Sequence, residues 1–221
     1  MDQKEIGKIF YRDGYRLANQ HLAEGLSAEK LKGAIKAMYE AVDGLLEAFL
    51  QRTGSDGKPA ACKNGCAFCC FQPVYAVTHE MLFLKDFIRQ NIPQNKQDSF
   101  MKHSREKSLL TLNKSMEEQQ KIKFACPFLE NSSCRVYEAR PMACRIYLSS
   151  SVLSCEKDYM DSGRKRDKPE LYEFPLQAGR MLNEGFVSCL KQLGLQSTEL
   201  ALEQGYASLV TMDQDFESWI G

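Results

Sequence analysis

Four thiols fall within nine residues, in the run Cys62-Lys63-Asn64-Gly65-Cys66-Ala67-Phe68-Cys69-Cys70. Gaps of this length let several thiolates converge on one soft metal ion, and Gly65 permits the sharp backbone turn such a chelate needs. A second set follows at Cys126, Cys134, Cys144 and Cys155. Pro127 disfavours helix at Cys126, and Asn131-Ser132-Ser133 offers a turn, so Cys126 and Cys134 are expected on the two arms of a loop. Pro141 is placed to open a short helix running through Cys144 to about Ser150, whose dipole would favour the thiolate at Cys144.

Two groups of four thiols meet the needs of two four-thiolate centres, or of one centre with four thiols left for redox or structural work. The side chains of Cys69 and Cys70 diverge from neighbouring positions. That pair therefore divides between two centres, or leaves one thiol as a packing residue. A four-thiolate zinc site is doubly negative, and Arg140 and Arg145 are candidates to donate hydrogen bonds to the sulfurs and offset that charge; the alternative is that they only cover the surface. Lys63 and Arg135 also adjoin the cysteines. Cys189 stands apart on an amphipathic stretch with Leu182, Phe186 and Leu193 and reads as a buried small hydrophobe. His21, His79 and His103 are not at ligand spacing with one another. An all-cysteine set without histidine suits an iron–sulfur cluster first and zinc second. No residue is assigned a catalytic role, and the sequence leaves open whether the chain is an enzyme.

The chain that must position these thiols has 221 residues, 43% of them hydrophobic, which is ordinary for a globular protein. One domain over 1–221 is expected, with an N-terminal helical pair in 1–58, a cysteine-cluster core with inserted helices in 59–160 and C-terminal helices in 161–221. The 29 basic and 29 acidic side chains cancel. No overall field therefore draws the protein to nucleic acid or an anionic membrane, and the expected partner is another protein, which the sequence does not identify. The charged first residues lack the apolar run of a signal peptide, and no stretch is long and apolar enough to span a bilayer, so a cytoplasmic location is expected. Nine cysteines in a reducing compartment point to metal ligation rather than disulfides.

Helical periodicity dominates, and the fold class reads as mainly α, a helical domain built around a loop-rich cysteine cluster. Gln3 to Ala23 reads as a helix ended by Gly25. Ser27 then caps a helix carrying Leu31, Ile35, Met38, Val42, Leu45, Leu46, Phe49 and Leu50 at helical spacing. Thr53 to Pro59 is turn-rich and reads as a linker. Pro73 to Val77 reads as a short extended segment, Thr78 as a cap for a helix to about Asn91, and 95–123 as one long helix with a wide solvated face and Phe100, Leu109, Leu112, Met116 and Ile122 packing inward. The lysines of that stretch lack the interleaved aromatics of a nucleic-acid surface. Asp161 to Pro169 reads as a loop. Helices are expected over Pro175 to Leu193 and Thr198 to about Val210, before a closing turn with Phe216, Trp219 and Ile220.

The runs CKNGCAFCC, CPFLENSSC and CRVYEARPMACR with the later Cys155 resemble the CxxCxxCC cysteine-cluster family, also called the YkgJ type, described as zinc- or iron-chelating domains. The resemblance spans Cys62 to Cys155 and implies metal binding by the eight cysteines. This sequence departs from the pattern in the three-residue gap between Cys62 and Cys66. The resemblance extends to bacterial flagellin lysine N-methylases, which carry a similar cluster in a longer chain; here no glycine-rich loop for S-adenosylmethionine accompanies it. Cys62, Cys66 and Cys69 also match the three-cysteine signature of radical S-adenosylmethionine enzymes, but those resemble partial α/β barrels, and the helical pattern argues against that architecture. Three functions follow: an iron–sulfur protein for electron transfer or as a redox partner, a structural zinc module for protein interaction, or an enzyme related to the methylases.

Overall fold

A computed structural model of the chain describes residues 3–63, 65–160 and 168–221. Its architecture is mainly helical, with ten helices and four very short strands among the described residues. Helix α1 (Gln3–Leu22) lies along α8 (Glu173–Gln192), and α2 (Ala28–Ser55) packs beside them. Two glycines make the first contact possible. A Cβ at Gly14 would stand 1.9 Å from the Leu182 carbonyl oxygen, and one at Gly185 would stand 1.8 Å from the Tyr11 carbonyl oxygen, so only bare backbone lets the axes come this close. Ser27 caps α2 as expected, its hydroxyl accepting the Lys30 N–H. The apolar stripe of α2, Leu31, Ile35, Met38 and Val42, is fully buried.

Helices α3 (Thr78–Asn91) and α4 (Gln94–Thr111) extend this frame, and α9 (Leu202–Thr211) packs against both. Helix α5 is Met116–Ile122, α6 is Met142–Arg145, α7 is Val152–Met160 and α10 is Phe216–Ile220. Strand β1 (Tyr75–Val77) pairs antiparallel with β4 (Glu199–Ala201), and β2 (Leu129–Glu130) with β3 (Ser133–Cys134).

Several local expectations are corrected. Helix α2 runs on through Thr53, Gly54 and Ser55, because the Thr53 and Ser55 hydroxyls donate to the carbonyls of Leu50 and Gln51 and keep the helical turn satisfied. It stops before Gly57, which has φ +73°. The stretch 95–123 is two helices, not one. Asn113 takes a left-handed conformation, and Ser115 with Glu118 forms a capping box that starts α5. Leu109, Leu112 and Met116 are consequently exposed, whereas Phe100 is buried. Residues 199–201 are strand rather than helix because they pair with β1. The helix opened by Pro141 ends at Arg145 instead of near Ser150, since the chain turns extended to bond Ser149 and Ser150 to the segment 170–171. Cys155 lies on a helix, α7, that the sequence did not announce. The loop expected from Asp161 to Pro169 falls outside the described residues up to position 167.

Candidate metal centre

Each cysteine segment is held by bonds that make sense residue by residue. Beyond α2, the Ala61 N–H donates to the Ser149 carbonyl (2.9 Å), and the Ser149 N–H donates to the Cys62 sulfur (3.3 Å). Gly65 has φ +86°, the left-handed turn for which a glycine was expected, and the Cys66 N–H closes on the Lys63 carbonyl. Cys69 and Cys70 sit on a 3₁₀ turn, Phe68–Phe71. That turn is pinned to α7, because Phe68 and Phe71 both pack on Tyr159 (ring centroids 5.7 and 4.9 Å apart) and the Gln72 amide donates to the Asp158 carboxylate (2.9 Å). Helix α7 carries Cys155, so the 3₁₀ turn and Cys155 are fixed to one another through aromatic packing.

The second segment docks on the first by backbone. The Cys126 N–H donates to the Cys70 carbonyl at 2.7 Å. Asn131 and Ser132 both have positive φ and turn the β2–β3 hairpin, which places Cys134 opposite Leu129. Phe128 drives this arrangement. It is fully buried between Phe100 and Tyr206 (5.3 and 5.1 Å), and burying a ring of this size contributes about 2–3 kcal/mol. The cysteines on either side of Phe128 are carried to the core by it.

Arg145 is buried at 2% exposure. Its guanidinium donates to Asp43 of α2, to the Glu138 carbonyl and to the Arg140 carbonyl (2.9 Å), and lies 3.9 Å from the Tyr39 ring centroid. Arg140 reaches the other Asp43 oxygen at 3.6 Å and covers Tyr137. Glu80, also buried, accepts the Met142 N–H (2.6 Å) and the Tyr39 hydroxyl (3.2 Å) with one oxygen and the Val77 N–H with the other. The segment from Cys134 to Cys144 is thus tied to α2 and α3 by one continuous polar network.

Electrostatics shows which thiols feel each other. The Cys62 thiol is raised by burial first, then by the charges of Cys66, Cys69 and Cys155; a hydrogen bond from Ser149 opposes this. Cys155 is raised by burial and by Cys66 and Cys69. Burial pushes Cys126 up to about 12, and raises Cys144 well above the ordinary thiol value with Cys126, Cys134, Cys69 and Glu80 adding to it. The dipole advantage expected at Cys144 is therefore outweighed by desolvation. Cys134 is raised by burial, against which Arg140 acts. The Cys69 and Cys70 thiols share a hydrogen bond: Cys69 is lowered to about 7 by its neighbour's S–H, and Cys70 is raised because it holds that proton.

All nine cysteines are free, and eight belong to this neighbourhood; Cys189 is buried in the helical core on α8. Among the described residues, no three cysteine, histidine or carboxylate side chains already stand as the ligands of one ion. The donor chemistry nonetheless fits a soft cation. Buried thiols that resist ionisation beside one another lack a positive charge, and a bound metal supplies it while the thiolates close around it. His79 packs against Phe186 in the core, 5.0 Å between ring centroids. Asp43, Glu80 and Ser149 were not found from sequence. Asp43 and Glu80 offered only the faint signal of an acid one residue from an apolar helical face.

The fold and these thiols define a helical protein with a cysteine-rich, metal-binding region built from turns, a short hairpin and the short helices α6 and α7. Residues 61–166 match the model of the CxxCxxCC family, described as "putative zinc- or iron-chelating domain". The match covers a little under half of the chain's length. Neither the curated proteins nor the solved structures give a match. No described helix is long and apolar enough to cross a membrane.

Proposed function

We propose that the protein holds an iron–sulfur cluster on its cysteines and acts in electron transfer or as the partner of a redox enzyme. The observation that carries this reading is the meeting of two thiol-bearing segments, with Cys126 bonded to Cys70, in a set of free cysteines that includes no histidine. The cluster would supply the electron-accepting chemistry. The chain's own part is to hold the sulfurs on turns tied to rigid helices and to place Arg140 where its charge favours the Cys134 thiolate.

Elemental analysis of anaerobically purified protein tests the proposal. Iron and sulfide in a brown protein support it, and a colourless zinc-loaded protein overturns it in favour of a zinc module for protein interaction. In either case Cys66→Ser and Cys144→Ser lose metal, whereas Cys189→Ser, remote on α8, keeps the full content. Unchanged metal content in single substitutions throughout both clusters would remove the cysteines from the site.

A further inference from the structure

Phe128 is wedged between Phe100 of α4 and Tyr206 of α9, and a second contact joins the same two faces of those helices. Lys107 follows Phe100 by two turns of α4, and Glu203 precedes Tyr206 by one turn of α9. The Lys107 ammonium meets the Glu203 carboxylate there, with only 5% and 2% of the two side chains exposed. The pair is loosely made. The nitrogen stands 3.6 Å from Oε2, outside hydrogen-bond reach, and among the described residues that oxygen accepts no hydrogen bond. The Ser104 hydroxyl, fully buried on the same face of α4, has no partner either. Two charges taken out of water need close, hydrogen-bonded contact to offset the loss of hydration. That contact is missing here, so the carboxylate does not cancel the field of the ammonium, and in a buried place solvent does little to screen it.

The start of the second thiol segment lies within that field. Cys126 is two residues before Phe128, and the Leu129 N–H closes a turn onto the Cys126 carbonyl, so the ring seated between α4 and α9 brings the Cys126 thiol to the same groove. The thiol registers both charges. Burial raises it and the Phe128 N–H lowers it; beyond these, Lys107 lowers it by more than Glu203 raises it. A divalent ion held by four thiolates is doubly negative and needs a counter-charge. Arg145 cannot supply it, because its guanidinium is taken up by Asp43 and two carbonyls, and Arg140 acts on Cys134.

We infer that Lys107 is a buried counter-charge for the metal centre on its Cys126 side, with Glu203 restraining its field. This rests on the metal-binding reading above and adds a residue that the cysteine spacing does not mark. Lys107 touches neither metal nor substrate; it is a positioning residue that favours the ionised sulfur through space.

The test is the cobalt(II) affinity of the metal-free, reduced full-length chain at neutral pH, read by thiolate-to-cobalt absorption in competition with a chelator. Lys107→Met weakens binding about tenfold, and Glu203→Gln, which leaves the ammonium unopposed, tightens it. The double variant Lys107→Met/Glu203→Gln leaves neither charge buried and falls between wild type and Lys107→Met. It also keeps the test decisive if Lys107→Met does not fold, because Glu203→Gln and the double variant differ in the Lys107 charge alone. Urea unfolding of the metal-free variants is followed alongside. A pair that served only to hold α4 against α9 would lower both unfolding midpoints and move the cobalt affinity of both single variants in one direction. Affinities that move together in this way, or a Glu203→Gln variant that binds no more tightly than the double variant, overturn the inference and leave metal binding standing. A wild type that takes up no cobalt, zinc or iron overturns both.

Discussion

Replacing Arg145 by alanine tests whether the thiol-bearing segment is held to the helical frame by its polar network. The guanidinium is almost wholly buried and satisfies the Glu138 and Arg140 carbonyls as well as Asp43. Truncation leaves those two carbonyls without their donor, at about 1–2 kcal/mol each. It also removes the contact with the Tyr39 ring, about 1 kcal/mol. Asp43 is 45% exposed and can turn to water, so its loss adds little. The expected destabilisation is about 4 kcal/mol, read as a lower midpoint in urea unfolding of metal-saturated protein followed by circular dichroism. Arg145→Lys cannot span the three acceptors and falls between, at about 2 kcal/mol. Asp43→Asn, which keeps an acceptor, costs about 1 kcal/mol. If Arg145→Ala unfolded within about 1 kcal/mol of wild type, or Asp43→Asn cost more than Arg145→Ala, the claim that Arg145 anchors this segment would be refuted.

Burial holds His79 down at about 3, from an ordinary value of 6.5, with the Asn183 side chain pulling weakly the other way. The unfolded chain therefore takes up a proton that the folded chain refuses, so stability is full above about pH 6.5 and declines as the pH falls towards about 3. His79→Phe, packed on the same Phe186 ring, should flatten the acid limb of a stability–pH profile; an unchanged limb would show that other groups set it. Gly185→Ala drives a methyl into the Tyr11 carbonyl and should cost about 3 kcal/mol in thermal or chemical unfolding. Gly44→Ala, on α2 with nothing within 4 Å of its Cβ, should instead be neutral or stabilising by up to about 1 kcal/mol. Phe128→Ala should destabilise by about 3–5 kcal/mol and lower metal content, because the ring seats the hairpin between Cys126 and Cys134. Full metal retention in that variant would separate the hairpin from the centre.

What could be read without the structure was local. The 3.6-residue period of Leu31, Ile35, Met38 and Val42 and the Ser27 cap marked α2, since both are properties of a few successive residues. The positive φ of Gly65 and the hairpin turn at Asn131 and Ser132 followed from what those residue types tolerate. The spacing of the cysteines carried the expectation of a soft metal and the resemblance to the CxxCxxCC family, whose model matches residues 61–166. Tertiary structure decided what depends on residues far apart. Residues 199–201 became strand because β1, more than a hundred positions earlier, offers its edge. Cys144 lost its expected ease of ionisation because burial desolvates it, with neighbouring thiols and Glu80 adding to the effect. Arg145, expected from its place beside Cys144 to donate to the sulfurs, is bonded instead to Asp43 and two carbonyls. Above all, the meeting of Cys70 with Cys126 is a single bond between loops more than fifty residues apart, brought together by the burial of Phe128 and the docking of α7. Local preference sets the turn at each thiol, but which thiols become neighbours is set by how the helices pack.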